Sequence, residues 1–366
     1  MQIAIVGLAG SGKTTVFNTL TRGHAQTGGF GALTLNVGVV KVPDARLDRL
    51  AEIFKPKKIV HADVTYADLP APPASSEGHV GTEDLPAEHL ARLRESDALL
   101  HVVRAFDDPS LPHPLGSVDP GRDLEQLDFE FILADLAMVD RRLARLGSGR
   151  HGTPAEREAN EREEVVVRRL KVELEAGRPI RDAGLTDDEA KTVRGFRFLT
   201  EKPVLVLLNV GERDLATAPD LTARITAAYD HQHAMVDHLS ARIEMELGEL
   251  DAADAATFME ELGIAESGLE RVIRLSYELL GLISFLTAGP DEVRAWPIPA
   301  GSTAVEAAGA IHTDLAKGFI RAETVGYDDM IQLRSTAEAR KAGRLRSEGK
   351  TYRVADGDVL EILFSR

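Results

Sequence analysis

A glycine-rich segment near the start of the chain places the strongest limit on its fold. Residues 7–14, GLAGSGKT, match the pattern G-x-x-x-x-G-K-[ST] at every position. The preceding residues, QIAIV, have the apolar character of a short buried strand, and residues 14–20 have the character of a helix start. A strand, a glycine-rich turn and a helix in this order predict a phosphate-binding loop, or P-loop.

The chemistry of phosphate binding explains the spacing within this loop. Successive backbone N–H groups must curl around the phosphates, and glycine permits that curvature without Cβ clashes. Lys13 is expected to reach the β- and γ-phosphates and to act in catalysis, and the Thr14 hydroxyl is expected to ligate Mg²⁺. The predicted nucleotide contacts of the loop are Gly10, Ser11, Gly12, Lys13, Thr14 and Thr15.

The remaining sequence predicts several domains. A length of 366 residues favours two or three domains. The apolar runs at 98–103 and 203–208 predict strands of a parallel sheet, and helical spacing predicts a hairpin between them. We therefore expect an α/β nucleotide-binding domain over 1–122 and 196–280, with an inserted helical hairpin over 123–195. Short strand-like pieces separated by glycines predict a small α+β domain over 281–366.

Composition excludes some classes of site and partner. The chain has no cysteine, so disulfides, thiolate metal sites and cysteine nucleophiles are excluded. The net charge of −16 argues against diffuse nucleic-acid binding, and no DNA partner is expected. The basic stretch 334–350 is the best candidate for a local nucleic-acid patch, although a solvated helix face is the favoured interpretation.

The sequence shows neither an export signal nor a membrane span. The N-terminus lacks a basic region followed by a long apolar stretch, and no apolar run approaches the roughly 20 residues that cross a bilayer. A cytoplasmic location and the absence of a membrane partner are therefore expected.

The residues after the second predicted strand bear on the choice of base. GTPases recognise guanine with Asn-Lys-x-Asp, whereas residues 209–212 here read Asn-Val-Gly-Glu. The lysine is absent and the acid is longer, so a bidentate guanine clamp is not assured. Adenine reverses the donor and acceptor pattern, and we expect ATP, with Asn209, Val210 and Glu212 near the base. An N-x-x-E pattern alone occurs often by chance.

The chain closely resembles the YchF/Obg-like ATPase family over nearly its whole length. The separated segments that carry the resemblance include KTTVFNTLTR, NVGVVKVPDARLDRLAEIFKP, DALLHVVRAFDD, NVGE, SARIEMELGELD and GAIHTDLAKGFIRAETVGYDD, in this order. The resemblance implies a Ras-like P-loop domain, an inserted helical arm and a C-terminal α+β TGS domain. It also implies slow ATP hydrolysis and association with the ribosome or with ribosome-associated RNA or protein.

The resemblance also implies roles for individual residues. Ser240, Ala241 and Arg242 fall where the family has its second base-binding loop, and His113 falls where members carry a histidine implicated in hydrolysis. On residue type alone, a solvated loop histidine is an equal alternative for His113. Asp68 corresponds to the acid that holds Mg²⁺ through water.

Three departures from the family pattern weaken the expectation of hydrolysis. Gly10 stands where the family's asparagine helps to bind a monovalent cation, and Ala32 stands where the first switch has a threonine, with Thr34 two residues along. The family's Asp-Ile-Ala-Gly-Leu is replaced by Asp-Leu-Pro-Ala-Pro at 68–72, and the prolines stiffen that segment. A switch that must reorder is difficult to build from it.

The sequence thus leaves competing hypotheses. The leading one is a slow ATPase, the second is a nucleotide-stabilised binding scaffold with little or no turnover, and the third is a small-molecule kinase. The P-loop alone fits the kinase, but the resemblance over the remaining chain leaves little room for the arginine-rich lid that a kinase needs.

Overall fold

The computed structural model describes residues 1–23, 36–68, 87–148 and 153–365. Within them the chain forms two compact units, Met1–Gly38 with Thr65–Leu269, and Val39–Val64 with Glu270–Arg366. The strands are β1 (Gln2–Val6), β2 (Asn36–Lys41), β3 (Lys58–Val60), β4 (Asp63–Asp68), β5 (Ala98–Ala105), β6 (Val204–Val210), β7 (Ala234–Leu239), β8 (Leu282–Ala288), β9 (Glu292–Pro299), β10 (Phe319–Gly326), β11 (Arg346–Glu348) and β12 (Asp358–Phe364).

The helices of the described residues complete both units. They are α1 (Lys13–Thr21), α2 (Ala45–Phe54), α3 (Ala87–Glu95), α4 (Pro120–Ser148), α5 (Pro154–Glu175), α6 (Asp187–Val193), α7 (Ala218–Ala228), α8 (Ala241–Glu249), α9 (Ala252–Glu261), α10 (Gly268–Leu279), α11 (Ala304–Ile311), α12 (Thr313–Lys317), α13 (Tyr327–Leu333) and α14 (Thr336–Lys341). None of them is long and apolar enough to cross a membrane.

The first unit is built on a sheet in the order β2-β4-β1-β5-β6-β7. Strands β4, β1, β5, β6 and β7 pair in parallel, and β6 is buried at every position. The continuous apolar runs of β5 and β6 are typical of strands covered on both faces. The strands predicted at 2–6, 98–103 and 203–208 are present, and the carboxyl ends of β1, β5 and β6 lie at the same edge of the sheet.

The helical arm of the first unit packs around its own core. Val139, Val167 and Leu170 on α4 and α5 are fully buried, together with Phe198 of the following segment. Asp135 on α4 is also fully buried. Its carboxylate accepts hydrogen bonds from Arg94, from the backbone of Leu199 and from the backbone and hydroxyl of Thr200. These bonds satisfy the buried charge and anchor the arm to the segment that leads into β6.

The second unit contains a mixed sheet in the order β11-β10-β12-β8-β9-β3. The predicted α+β domain begins at residue 281, whereas the compact unit also includes 39–64 and 270–280. Strand β3 joins this sheet because it pairs in parallel with β9, and Arg46 on α2 forms an ion pair with Asp356 at 2.7 Å. The chain therefore contributes an early segment to this unit, which local sequence patterns did not indicate.

The basic stretch 334–350 lies in this second unit and consists of α14, β11 and their connections. Arg340 pairs with Glu323 at 2.7 Å, Lys341 with Glu338 at 2.6 Å, and Arg346 with Asp358 at 3.2 Å. Because carboxylates neutralise these cations, the solvated helix face remains the favoured interpretation of the stretch.

Candidate nucleotide site

The glycine-rich loop has backbone geometry that favours glycine. Gly7, Gly10 and Gly12 have positive φ angles of 147°, 74° and 93°. A Cβ atom on Gly7 would lie 2.2 Å from the Val102 carbonyl oxygen, and one on Gly12 would lie 2.3 Å from Asn209 Nδ2. The glycines at positions 7 and 12 therefore allow the loop to approach β5 and β6 closely, as the motif predicts.

Lys13 is folded back onto the loop that precedes it. Its Nζ atom donates hydrogen bonds to the carbonyl oxygens of Gly7 and Leu8, both at 2.8 Å. Burial lowers the pKa of Lys13 to about 8, and the nearby Asp68 carboxylate only partly opposes this shift. The lysine lies at the N-terminus of α1, where the helix dipole also favours an anion over a cation. A phosphate group bound at this position would place a negative charge beside Lys13 and so favour its protonated form.

Thr14, in the first turn of α1, lies beside Asp68 at the carboxyl end of β4. The Thr14 hydroxyl donates to Asp68 Oδ2 at 3.0 Å, and burial raises the pKa of Asp68. The second carboxylate oxygen, Oδ1, is buried without a hydrogen-bond partner among the described residues. The nearby Thr14 hydroxyl, the Lys13 amine and the Asn36 side chain partly oppose the rise in the Asp68 pKa. This oxygen-rich pair has the donor atoms that hard divalent cations prefer.

Asn209 joins the phosphate loop to the second predicted base-binding loop. Its Nδ2 donates to the Ser11 carbonyl oxygen at 3.0 Å, and its Oδ1 accepts from the Ala241 backbone N–H at 3.0 Å. Both ends of the amide are thus bound by protein backbone. These bonds give Asn209 a bracing role and leave one N–H of its amide for the base, so the predicted base contact stays a prediction.

The other predicted base-side residues differ in exposure. Val210 and Ser240 are buried, and the Ser240 hydroxyl has no hydrogen-bond partner among the described residues. Glu212 is exposed, and Arg242 is exposed and forms an ion pair with Glu246 at 3.3 Å. The fold therefore fixes the buried residues Val210 and Ser240, whereas the side chains of Glu212 and Arg242 extend into the solvent. Within the P-loop helix, the carbonyl of the half-buried Thr15 accepts from Thr19 Oγ1 at 2.7 Å.

A buried arginine holds the loop that follows β5 against the phosphate loop. Arg104 donates to the carbonyl oxygens of Phe106 at 3.1 Å, Asp108 at 3.3 Å and Leu111 at 2.9 Å. A Cβ atom on Gly10 would lie 3.4 Å from Leu111 Cδ2 and 3.5 Å from Arg104 Nη1. The segment that carries His113 therefore begins in contact with the P-loop.

His113 itself is bound to the first turn of the helical arm. Its Nε2 lies 2.7 Å from Asp123 Oδ2, and its Nδ1 accepts from the Leu115 backbone N–H at 3.1 Å. A ring nitrogen that accepts carries no proton, so the neutral ring bears its proton on Nε2 and donates it to Asp123. Arg122 also contacts Asp123, at 2.7 Å. In this conformation neither ring nitrogen of His113 is available to a water molecule.

The predicted site and the observed site differ at several residues. Ala32, Thr34 and the altered second switch, residues 69–86, lie outside the described residues. Three residues of the site were missed by sequence reasoning: Asn36, Arg104 and Asp123. A charged residue that ends the otherwise apolar run of β5 was a usable signal for Arg104, whereas no local signal distinguished Asp123 from the other acids of its helix.

Comparison with known proteins agrees with this geometry. Residues 2–137 match the family model of the 50S ribosome-binding GTPase, and residues 282–365 match the YchF GTPase C-terminal family, described as a protein of unknown function. The "Ribosome-binding ATPase YchF" of Pasteurella multocida (strain Pm70) is 41% identical over 100% of this chain and 99% of its own length. The protein of the same name from Bacillus subtilis (strain 168) is 40% identical with the same coverage.

A solved structure extends the comparison to three dimensions. The Schizosaccharomyces pombe YchF GTPase superposes with a TM-score of 0.85 at 30% sequence identity, covering 99% of this chain and 97% of that one. The α/β P-loop domain, the helical arm and the C-terminal β-rich domain are thus shared along the whole length. Sequence, fold and site agree, and the chain belongs to the YchF family.

Proposed function

We propose that this chain binds ATP, hydrolyses it slowly and associates with the ribosome. The observation that carries the proposal is the glycine loop of residues 7–14, which wraps Lys13 and is braced to the 240–242 segment through Asn209. The two bacterial relatives named above are described as ribosome-binding ATPases, which supports the same conclusion. We also propose that domain boundaries fall at residues 123, 196 and 281 and that the last domain is a TGS domain.

The choice of ATP rests on the base side of the site. An exposed Glu212 in place of the usual aspartate leaves no fixed carboxylate for guanine N1–H and N2. Backbone groups around Val210 and the 240–242 segment would then contact adenine through its exocyclic amine and N1. Asn209 supports this recognition by holding the segment to the P-loop.

Thr14 and Asp68 are the residues that would hold Mg²⁺. Their hydroxyl and carboxylate oxygens are close together, and the orphaned Asp68 Oδ1 is a buried acceptor that a metal-bound water would satisfy. The ion would neutralise charge on the β- and γ-phosphates. Ionised Asp68 is favoured in such a complex, because the cation opposes the burial that raises its pKa.

Hydrolysis would proceed by in-line attack of water on the γ-phosphorus. The new P–O bond forms as the bond to the β,γ-bridging oxygen breaks, ADP leaves, and the proton of the water is transferred to the solvent or to phosphate. Lys13 exchanges its two backbone acceptors for phosphate oxygens and stabilises the developing charge. His113 would orient the water only after it separates from Asp123.

The binding scaffold without turnover remains the second candidate. The observation that favours it is the pair of hydrogen bonds that occupies both ring nitrogens of His113. On this hypothesis, ATP stabilises the first unit, and the ribosome recognises that stabilised form.

Single-turnover hydrolysis of radiolabelled ATP by the wild type, Lys13→Ala and His113→Ala tests the proposal. We expect Lys13→Ala to lose at least about 100-fold in rate and His113→Ala about 10- to 100-fold. Lys57→Ala, which removes an exposed lysine, is the matched control and should behave as wild type. Tight ATP binding with no phosphate release that depends on Lys13 would overturn the ATPase and leave the scaffold.

Two further measurements complete the test. Competition between ATP and GTP for the same site should favour ATP, and tighter GTP binding would overturn the base assignment. Co-sedimentation with ribosomes, with ATP and without nucleotide, should show binding that depends on the nucleotide.

A further inference from the structure

The C-terminal strand of the second unit is paired along the whole of one edge and along only the first part of the other. On one side, β12 pairs with β10 from Asp358 to Phe364. On the other side, its register with β8 consists of the Val359–Leu286 pair. Beyond this pair, no described residue of β8 is paired with residues 361–364. We call residues 361–364 the open edge of β12.

A cavity of about 540 Å³ lies along this open edge. Glu361, Ile362 and Phe364 of β12 form one side, and residues 287–292 at the turn between β8 and β9 form the other. The remaining apolar lining consists of Ile311, Leu315, Val325, Met330, Leu345, Val359 and Leu360. Phe364 remains 41% exposed. The space beside the unpaired backbone is therefore both accessible and partly apolar.

The charged residues that line the cavity are acidic. Its charged lining residues are Asp291, Glu292, Glu323 and Glu361, and no Lys, Arg or His from the described residues lines it. The first three carboxylates form ion pairs with Lys57 at 2.7 Å, Lys58 at 2.9 Å and Arg340 at 2.7 Å.

Glu361 differs from these three carboxylates. It is exposed and lies directly opposite Glu323 on the neighbouring strand, where Arg321 and Arg340 pair with Glu323. No described residue forms an ion pair with it. The lining thus provides one carboxylate whose charge remains to be compensated.

We infer that the open edge of β12 binds an extended, basic peptide segment of a protein partner, which adds as a strand beside residues 361–364. Backbone hydrogen bonds to the unpaired edge give affinity, and alternating side chains of the segment enter the apolar cavity and face Glu361. A Lys or Arg of the segment would pair with Glu361, with which no described residue forms an ion pair.

The strand edge and its unpaired carboxylate favour a peptide over a nucleic-acid ligand. Three of the four carboxylates in the cavity lining are already paired with cations, so Glu361 is the one that would repel a phosphate. An open strand edge also offers alternating N–H and C=O groups, which match a peptide backbone. Both features of the surface favour a peptide.

The test uses the full chain and a fluorescein-labelled peptide of alternating lysine and valine, about eight residues long. Fluorescence polarisation measures affinity, and hydrogen exchange locates the site. We expect the peptide to bind and to slow exchange at residues 361–364. Glu361→Lys should weaken binding at least about tenfold. Glu278→Lys, an exposed change on α10 outside the cavity lining, should alter it less than about twofold.

Two modified probes separate strand addition from simple charge attraction. The same peptide with alternate backbone nitrogens methylated keeps its charge and loses N–H donors, and it should bind at least about tenfold more weakly. Failure of the unmodified peptide to bind, equal affinity for Glu361→Lys and wild type, or equal affinity for the methylated peptide would overturn the inference. Displacement of the peptide by a single-stranded RNA would overturn it in favour of a nucleic-acid surface.

Discussion

The phosphate loop and the His113 loop lie in the same unit but differ in how their polar groups are satisfied. At the phosphate loop and its neighbours, three buried oxygens have no hydrogen-bond partner among the described residues: Ser11 Oγ, Asp68 Oδ1 and Ser240 Oγ. In the His113 loop, both ring nitrogens of His113 and all three donor nitrogens of Arg104 are bound within the protein.

This difference separates binding from turnover. Buried polar atoms without partners are costly, so a ligand that supplies partners gains the free energy of satisfying them. A loop whose polar groups are already satisfied must break hydrogen bonds before it can act on a substrate. The nucleotide site is thus prepared for binding, whereas the histidine is held in a resting arrangement.

The largest expected effect comes from Gly12→Ala, which distorts the phosphate loop. The added Cβ would lie 2.3 Å from Asn209 Nδ2 at a residue with φ of 93°, so both the backbone and the brace to the 240–242 segment must shift. We expect ATP affinity to fall at least about 30-fold, from about 1–2 kcal/mol of strain and about 1–3 kcal/mol of lost hydrogen bonding. Isothermal titration calorimetry measures the affinity.

Gly195→Ala is the matched control for this substitution. Its Cβ would meet nothing within 4 Å, and its φ is not positive. The control should bind ATP as the wild type does and change the free energy of unfolding by less than about 0.5 kcal/mol. Wild-type ATP affinity in Gly12→Ala would show that the brace through Asn209 does not shape the site.

The phosphate side of the site could be predicted from the sequence because its determinants are local. Residues 7–14 carry the glycine spacing, the lysine and the hydroxyl in one continuous segment, and the structure places them on the predicted strand, loop and helix. The buried runs of β5 and β6 were equally clear, since strands covered on both faces have continuous apolar sequences.

Long-range pairings were not accessible to the same reasoning. Nothing near Asn209 indicates that both ends of its amide bind backbone at Ser11 and Ala241, which are distant in sequence. The pairing of His113 with Asp123 depends on how the loop meets the first turn of α4, and the pairing of β3 with β9 joins residues more than two hundred positions apart. Tertiary packing determines these contacts, and the hydrophobic periodicity within one segment does not indicate them.

Asp123→Ala removes a hydrogen-bond partner from the His113 loop and should have an intermediate effect. Loss of the carboxylate removes the acceptor that binds Nε2–H of His113 at 2.7 Å, so the ring leaves its resting arrangement more easily. We expect the single-turnover rate to rise about threefold to tenfold, which corresponds to about 1 kcal/mol. ATP affinity should remain unchanged, because Asp123 does not contact the phosphate loop.

Asp123→Asn is the conservative partner of this variant. Its amide oxygen can still accept from Nε2–H without the negative charge, and its rate should fall between those of the wild type and Asp123→Ala. A fall in rate for Asp123→Ala to the level of His113→Ala would contradict the resting arrangement and make Asp123 a positioning residue for the histidine.

The last expected effect is the pH dependence of ATP affinity, which is smallest near neutral pH and reports on Lys13. Burial lowers the pKa of this lysine to about 8 in the free protein, and a bound phosphate raises that pKa because it favours the charged amine. Binding must therefore take up a proton where the free lysine is neutral, so affinity stays constant from pH 7 to about 8. Above that pH it falls by up to about tenfold per unit.

Calorimetry in buffers of different ionisation enthalpy measures both the affinity and the proton uptake. Lys13→Arg is the control, because a guanidinium remains charged throughout this range and should give an affinity that does not fall between pH 8 and 9.5. Equal slopes for the wild type and Lys13→Arg would show that Lys13 is already fully charged in the free protein. Its hydrogen bonds to the Gly7 and Leu8 carbonyl oxygens would then compensate for burial, and the phosphate loop would resemble the His113 loop in being satisfied before the ligand arrives.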